Sequence, residues 1–536
     1  MINWVTSGIV ERMYSQMTKD LELFVEPSAS KLLTRVSHFL AEQGIQSYLI
    51  GGFVRDMLLG QDTADIDIAV AADALEVAPK VAAAFGGKYV LLDEVNMIGR
   101  VILNNGITAT RKKWELDFST LRGNIEQDMA QRDFTIDAMA VDLGKVVSHP
   151  LAPSEERRPG RENKVSLMLP DLIDPFKGWD DLRQGVLRAV TEEAFPADPV
   201  RLIRAVRLAA RLGFSIDRET EAMIRHYCQL ISGAPGERVR EELLLLLAMP
   251  RAGQLIAYLD ELGLLTAMIP ELAQEKGVEQ PQAHYWDVFQ HSIMTVSAVD
   301  FVLREGTWEY AGDEALAAVP WSTELSQHFD QEAGSGYTRR SILKLAALLH
   351  DIAKPQTKAI DEKGRTRFLG HAQDGAAIAV NVLEKLRFSS KVIKLVEVMV
   401  KYHLRPVQMA QHELPSRRAI YRYFRDTGEA GIDLLFLSLA DHLATRGQNL
   451  DLAEWQEHAQ MVEYVLARHF EEESLTVPPK LIDGNDLITI FALSPGPEIG
   501  EILEAVREAQ AAGEVATREE ALAYVEHRLA SPPSKR

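Results

Sequence analysis

The sequence predicts an α+β head, a mixed β-sheet carrying helices, followed by an all-α neck, body and tail. Three observations predict it. Up to about residue 170, short apolar runs bounded by glycines and acids alternate with stretches of helical spacing. Beyond that point the apolar positions recur mainly at three- and four-residue intervals. The chain of 536 residues is longer than one hydrophobic core supports, so several domains are expected. The boundaries read as an extension over 1–30, the head over 31–170, the neck over 171–250, the body over 251–450 and the tail over 451–536.

Taken in order, residues 31–43 carry apolar side chains at helical spacing, and Tyr48-Leu49-Ile50 then reads as a strand. Gly51 and Gly52 sit where that strand meets the next helix, so backbone N–H groups can face an anion without Cβ interference. Arg55 would add a fork-shaped charge to the same anion. A second strand displays Asp65 and Asp67 on one face, with Ile66 and Ile68 behind them. Two hard carboxylates on one face suit Mg²⁺. A helix over 75–85 and strands over 89–92, 99–103 and 114–118 complete the sheet. Asp117 and Glu115, on the same face of the last strand, are rivals for a third carboxylate.

Residues 125–141 contain Arg132 and Asp133 beside a helix start. Residues 147–169 are polar and aperiodic, and read as a mobile surface insertion. Ala197-Asp198-Pro199 reads as a helix N-cap with proline at the first helical position, the helix running to Leu212 and stopping at Gly213. Arg201, Arg204, Arg207 and Arg211 share one face of it, with no interleaved acid, and form an anion-binding face.

Composition bounds the rest. Apolar residues make up 46% and charged residues 25%, the balance of a soluble globular protein. No apolar run reaches membrane length, and residues 1–29 are mixed and acidic, unlike a signal peptide. The single cysteine, Cys228, excludes an intrachain disulfide and a cysteine-rich zinc site, and fits a reducing cytoplasm. A net charge of −20 means that any RNA site is a local basic strip, with salt-sensitive binding.

The ordered string from Gly51-Gly52-Phe53-Val54-Arg55-Asp56 to Asp65-Ile66-Asp67 resembles the signature of the polymerase-β-like nucleotidyltransferases, in the branch of CCA-adding tRNA nucleotidyltransferases and bacterial poly(A) polymerases. The resemblance implies that Asp65 and Asp67, with Asp117, are catalytic and hold Mg²⁺. It implies that Gly51, Gly52, Arg55 and Arg132 bind the triphosphate, and that Asp198 and Arg201 hydrogen-bond the incoming base in place of a nucleic-acid template. Arg204 and Arg207 would steady the nucleotide or RNA phosphates. Gln131, Asp137 and Ala197 depart from the family pattern, which has Arg, Asn and Glu there. Only residues 119–131 bridge Phe118 to Arg132, without the flexible loop that CCA-adding relatives commonly carry, so an enzyme adding only the two C residues is an alternative. A-only addition and poly(A) synthesis stay open too.

His291, His350-Asp351 and Asp441, with His371 and His403 as further candidates, resemble an HD-type phosphohydrolase domain. Such a centre would hold a divalent transition metal, Mn, Ni, Co or Fe, and activate water. Residues 305–338, between the first ligand and the second, read as an inserted loop. The tail over 481–500 resembles the family's C-terminal region, with two short helices flanking a Pro-Gly turn whose amides could grip an RNA phosphate. The expected partners are tRNA with CTP, ATP or both, and no membrane. A chain working mainly as a phosphohydrolase on RNA ends is the remaining alternative.

Overall fold

The computed structural model describes residues 21–25, 27–61, 63–103, 113–150, 165–169, 172–334, 336–409, 414–471 and 480–530. The chain divides into two compact units, 1–234 and 235–536.

The first unit is built on a six-stranded sheet. Its strands are β1 (Ser47–Ile50), β2 (Asp65–Val70), β3 (Lys88–Asp93), β4 (Ile98–Leu103), β5 (Trp114–Thr120) and β6 (Ala140–Asp142), in spatial order β3-β4-β5-β2-β1-β6. Only β2 and β5 run parallel; the other pairs are antiparallel. β1 is buried along its whole length because neighbours flank it on both edges, hence its continuous apolar run. In β2, Ile66 and Ile68 are fully buried, whereas Asp65 and Asp67, which alternate with them, reach the opposite face. Helix α1 (Gly51–Leu58) follows β1 directly. Helix α2 (Ala74–Phe85) packs on β4 and β5, capped by the Asp73 side chain at its start and by left-handed Gly86 at its end.

Three expectations for this unit are corrected. The ends of the 147–169 segment are strands, not loop: Val147–Pro150 and Val165–Leu169 pair with each other, and the latter pairs with Leu21–Val25. Pairing across more than a hundred residues leaves no local signal. The extension over 1–30 likewise contributes that strand and the start of a helix, Pro27–Glu42; residues 1–20 and 151–164 lie outside the described residues. The arginine helix α3 (Arg201–Leu212) begins after Asp198 and not at it. The Asp198 carboxylate accepts from the N–H of Val200 at 3.3 Å, and Gly213 closes the helix as expected.

The second unit is helical. Helix α4 (Val288–Val302) is buried on nearly every side, packed by α5 (Arg339–Leu349), α6 (Gly431–Arg446) and the helix Ala252–Glu261. That is why its sequence is apolar throughout. Helices α7 (His371–Lys385) and α8 (Ser390–Tyr402) form an antiparallel pair beside them. Residues 305–338 are not a loop but hold helices Asp313–Ala318 and Thr323–Asp330 and a strand pair. The tail helices Gly484–Phe491, Pro497–Ala512 and Arg518–Ala530 close on their own core of Leu487, Ile502, Val506 and Val525, and the second spans 16 residues, longer than the sequence suggests. This tail docks through ion pairs: Arg422 with Glu508, Arg425 with Glu504 and Arg418 with Glu514.

At the root of the 305–338 segment, the fully buried Lys344 ammonium lies 2.7 Å from both Asp300 and Glu305. Removing it strands carboxylates in a dry interior, a change that costs about 3–5 kcal/mol. Lys344→Ala is therefore expected to lower the urea midpoint of the second unit strongly, and a midpoint within error of the native chain would refute this anchor.

Candidate functional site

The first centre lies on the open face of the sheet. The parallel register pairs Asp65 with Glu115 and Asp67 with Asp117, so four carboxylates occupy one face on adjacent strands. Arg100, facing Asp117 from β4, resolves the resulting repulsion. Its Nε and Nη2 reach the two Asp117 oxygens at 2.7 and 2.8 Å, and its Nη1 also pairs with Glu115. Both oxygens of Asp117 are thus engaged by Arg100, whereas Glu115 shares its two oxygens between Arg100 and Lys113. Arg100 was invisible to sequence reading because its role exists only through the β4–β5 register.

Gly51 has φ +66°, and a Cβ there would lie 2.9 Å from Nη1 of Arg132 and 3.2 Å from Oδ2 of Asp67. Only glycine lets strand β1 turn into α1 at this distance from both groups. No side chain caps the N-terminus of α1, so its first N–H groups stay available to an anion. Burial pushes the Asp67 carboxyl up to about 6, with Arg132 opposing and Asp117 and Asp137 adding to the rise.

Arg55 is placed differently from the expectation. It is buried, its Nε donating to Asp56 at 2.8 Å and its Nη1 to Asp137 at 2.5 Å. Its charge is matched by two acids, so it braces α1 against the turn Thr135–Asp137, while its Nη2 lies 3.3 Å from where a Cβ on Gly52 would sit. The aspartate at 137, where the family pattern has Asn, is what supplies the second acid.

The arginine face of α3 is also more neutral than its sequence suggests. Arg204 lies 3.0 Å from Asp133 and Arg211 lies 3.4 Å from Asp56, acids brought in from distant residues. Burial would raise Asp133, but Arg204 and then Arg201 hold it below the usual carboxylate range. Arg201 donates to the carbonyls of Gln131 at 2.9 Å and Ala194 at 3.1 Å, and its Nε stands 3.9 Å from Asp198. Asp198 and Arg201 therefore form one adjacent acceptor–donor pair, tied through Gln131 to the Arg132 block.

The second centre gathers all six of its sequence candidates. His350 and Asp351 follow the end of α5, His403 follows α8, His371 opens α7, His291 projects from α4 and Asp441 from α6. Asp351 is the hinge of the arrangement. Its Oδ2 lies 3.1 Å from Nε2 of His350 and 3.4 Å from Nε2 of His291, while its Oδ1 lies 3.4 Å from Nε2 of His371 and 3.6 Å from Nε2 of His403. Asp441 Oδ1 adds a contact to His291 at 3.0 Å. Two buried groups result, His291-His350-Asp351 and Asp351-His371-His403, each with ligand atoms within 4.8 Å of one another.

The donor chemistry fits divalent metal. The Nδ1 atoms of His350, His371 and His403 donate to the carbonyls of Ala347, Phe368 and Val400 at 2.8, 2.6 and 2.7 Å, which leaves each Nε2 lone pair facing inward. Both Asp351 oxygens are buried, faced by the imidazoles of the two groups and by one ammonium. Burial holds His403 neutral, down to about 4. Burial opposes charge on His350 too, yet Asp351 and Asp441 draw its pKa up to about 10, so this acid pair attracts positive charge. Lys354, three residues after Asp351, lies 2.6 Å from its Oδ2 and donates to Gln280. Sequence reading missed Lys354, although its i, i+3 spacing was there to be seen.

Family models match three parts of the chain: the poly(A) polymerase head domain over 47–188, the probable RNA- and SrmB-binding site of polymerase A over 213–276, and the HD domain over 322–446. His291 falls outside the last match, yet the fold brings it to the same centre. An A-adding tRNA nucleotidyltransferase of Deinococcus radiodurans is 34% identical over 89% of this chain and 94% of its own length. A CC-adding tRNA nucleotidyltransferase of Thermus thermophilus is 33% identical over 89% and 93%. Among solved structures, a CCA-adding enzyme in an apo form aligns with TM-score 0.59 and 21% identity over 94% of this chain and 95% of that one. The Thermotoga maritima CCA-adding enzyme complexed with tRNA aligns at 0.56 and 22% over 97% and 99%. These structures share the fold.

Elemental analysis after dialysis against Mn²⁺ is expected to find metal at both second-centre groups. His371→Ala should lose about half of it and Asp351→Ala nearly all, because Asp351 belongs to both groups. Equal loss in the two variants would contradict the shared carboxylate.

Proposed function

Because the chain belongs to the tRNA nucleotidyltransferase family with a poly(A) polymerase-type head, we propose that it extends the tRNA 3′ end with C, A or both, without a template and with release of pyrophosphate. The observation that carries this reading is that Asp67 lies beside the Gly51 turn and Arg132, with Asp65 on the same face of its strand. In the proposed step the terminal ribose hydroxyl attacks the α-phosphate of the incoming nucleotide. The uncapped N–H groups at Gly51 and Gly52, with Arg132, hold the triphosphate in line. Asp65 and Asp67 would hold Mg²⁺, which supplies charge neutralisation on the triphosphate and acidifies the attacking hydroxyl. The Asp198 carboxylate accepts from the exocyclic amine that C and A share, and Arg201 donates to ring acceptors of the base. Arg204 and Arg207 steady the phosphates, and Arg55 serves by holding α1 in place.

Residues 119–131 consist of a strand end, the turn capped by Asn124 and the helix Ile125–Ala130. That compact connection favours addition of C alone as the second reading. Incubating the chain with tRNA ending before CCA, after C and after CC, each with CTP or ATP, and reading product length separates the choices. Asp65→Ala is expected to abolish incorporation with tRNA binding largely kept. Arg201→Ala should damage nucleotide choice more than tRNA affinity, and equal loss of both argues against a templating pair.

The raised Asp67 carboxyl adds a pH dependence. An acid with its pKa near 6 keeps its proton below that pH, so a cation must then displace it. The Mg²⁺ concentration for half-maximal incorporation is expected to climb as pH falls from about 8 through 6. A demand that stays flat over that range removes Asp67 as a ligand.

The second centre is read as a metal-dependent phosphohydrolase, with Asp351 shared between two metals and Lys354 offering its charge beside that carboxylate. The pairing of each Asp351 oxygen with its own histidines supports it.

A further inference from the structure

The connection that precedes the Arg132 block holds an arginine unlike the others of the first unit. Arg122 is exposed, yet its guanidinium is fixed at two points. Its Nη1 donates to the side-chain carbonyl of Gln131 at 3.0 Å, and its Nη2 to that of Asn96 at 2.6 Å. Asn96 lies in the turn between β3 and β4. There its Nδ2 donates to Asp93 at 2.6 Å, which turns the amide carbonyl toward Arg122. Both acceptors are neutral amides, and among the described residues no ion pair engages Arg122. Arg55, Arg100, Arg204 and Arg211, by contrast, each meet an acid. Their charge is matched within the protein, whereas that of Arg122 is held in place and left whole. On a chain of net charge −20, a positive group so oriented marks a place for an anion.

Its neighbours tie this arginine to the first centre. The Arg122 N–H donates to Asp128 Oδ1 at 3.3 Å, and the other oxygen of that buried carboxylate accepts from Arg132 Nη2 at 3.3 Å. Gln131, whose side chain accepts from Arg122, accepts through its backbone carbonyl from Arg201 at 2.9 Å. Arg122, Arg132 and Arg201 are thus linked through Asp128 and Gln131. Arg132 lies inward, its Nη1 against Gly51, whereas Arg122 faces solvent on the outer side. A triphosphate at the Gly51 turn falls to Arg132, and the reactant that passes outside it is the RNA strand receiving the nucleotide. An oriented guanidinium without a carboxylate partner suits a single backbone phosphate of that strand. We propose that Arg122 binds a backbone phosphate of the RNA near its 3′ end and so positions the terminal hydroxyl for transfer. The inference rests on the nucleotidyltransferase reading of the first centre.

The test measures binding of tRNA ending before CCA to the full chain, over about 50 to 200 mM KCl at one fixed Mg²⁺ concentration. One phosphate contact on a single strand contributes about 0.7 to the slope of log affinity against log salt, which is about fivefold in affinity at about 0.1 M. Arg122→Gln is expected to reduce the slope by about that amount and to raise Kd about fivefold. Arg122→Lys should keep both, and KM for CTP and ATP should stay unchanged in either variant. A weaker affinity with an unchanged slope marks a merely structural role and overturns the proposal. So does a loss confined to the KM of the nucleotides, which would give the contact to the triphosphate. If the native chain binds tRNA but incorporates nothing, the nucleotidyltransferase reading fails, and the slope of Arg122→Gln still judges the phosphate contact. A native chain that binds no tRNA overturns both.

Discussion

Carboxylates cannot be crowded together in a protein interior without positive charge beside them, and both centres are organised by that constraint. In the first unit the β2–β5 register sets Asp65, Asp67, Glu115 and Asp117 on one face. Arg100 takes the outer pair and leaves Asp67 with its pKa raised to about 6. In the second unit Asp351 and Asp441 face imidazoles and Lys354 instead. In each case the protein's own cations satisfy part of the negative charge, and what remains unsatisfied defines where a divalent ion is wanted.

The same constraint explains why several arginines near the site are already engaged by acids. Arg55 and Arg204 are met by Asp56, Asp137 and Asp133, buried acids that hold α1, the Thr135–Asp137 turn and α3 to one another. A guanidinium locked between two carboxylates has little charge to offer a triphosphate, but it fixes the elements that do. Arg132 differs, because its contact with Asp128 is long, at 3.3 Å, and its Nη1 lies against Gly51.

Much of this was legible in the sequence wherever chemistry is local. Gly51-Gly52, the alternating Asp65 and Asp67, and the adjacent His350-Asp351 each announce themselves within a few residues, and the helical spacing of the second unit follows from its apolar periodicity. What was hidden depends on partners far along the chain. Arg100 acquires its role only when β4 lies against β5, the strand at Val165–Leu169 only when Leu21–Val25 arrives, and the neutralised arginine face only when Asp133 and Asp56 fold onto α3. His371 and His403 are an intermediate case: their positions at helix ends were unreadable, and the fold makes them as integral as His291.

The 305–338 segment shows how an insertion can enter a helical core without breaking its centre. It separates His291 from His350 by 59 residues, a distance at which loop closure alone grows only slowly in cost. Both of its ends are nonetheless tied down. Glu305 meets the buried Lys344 at the start, and the strand pair leads straight into α5 at the end. Since α5 carries Lys344 and ends at His350, the salt bridge that fixes the segment also fixes the helix that delivers the ligand. The aromatic residues Trp308 and Tyr310 then lie just beyond that anchor, against Trp286, which precedes the cap of the helix bearing His291. An insertion so anchored adds aromatic residues beside Trp286 while leaving the six residues of the centre on the helices and helix ends that carry them.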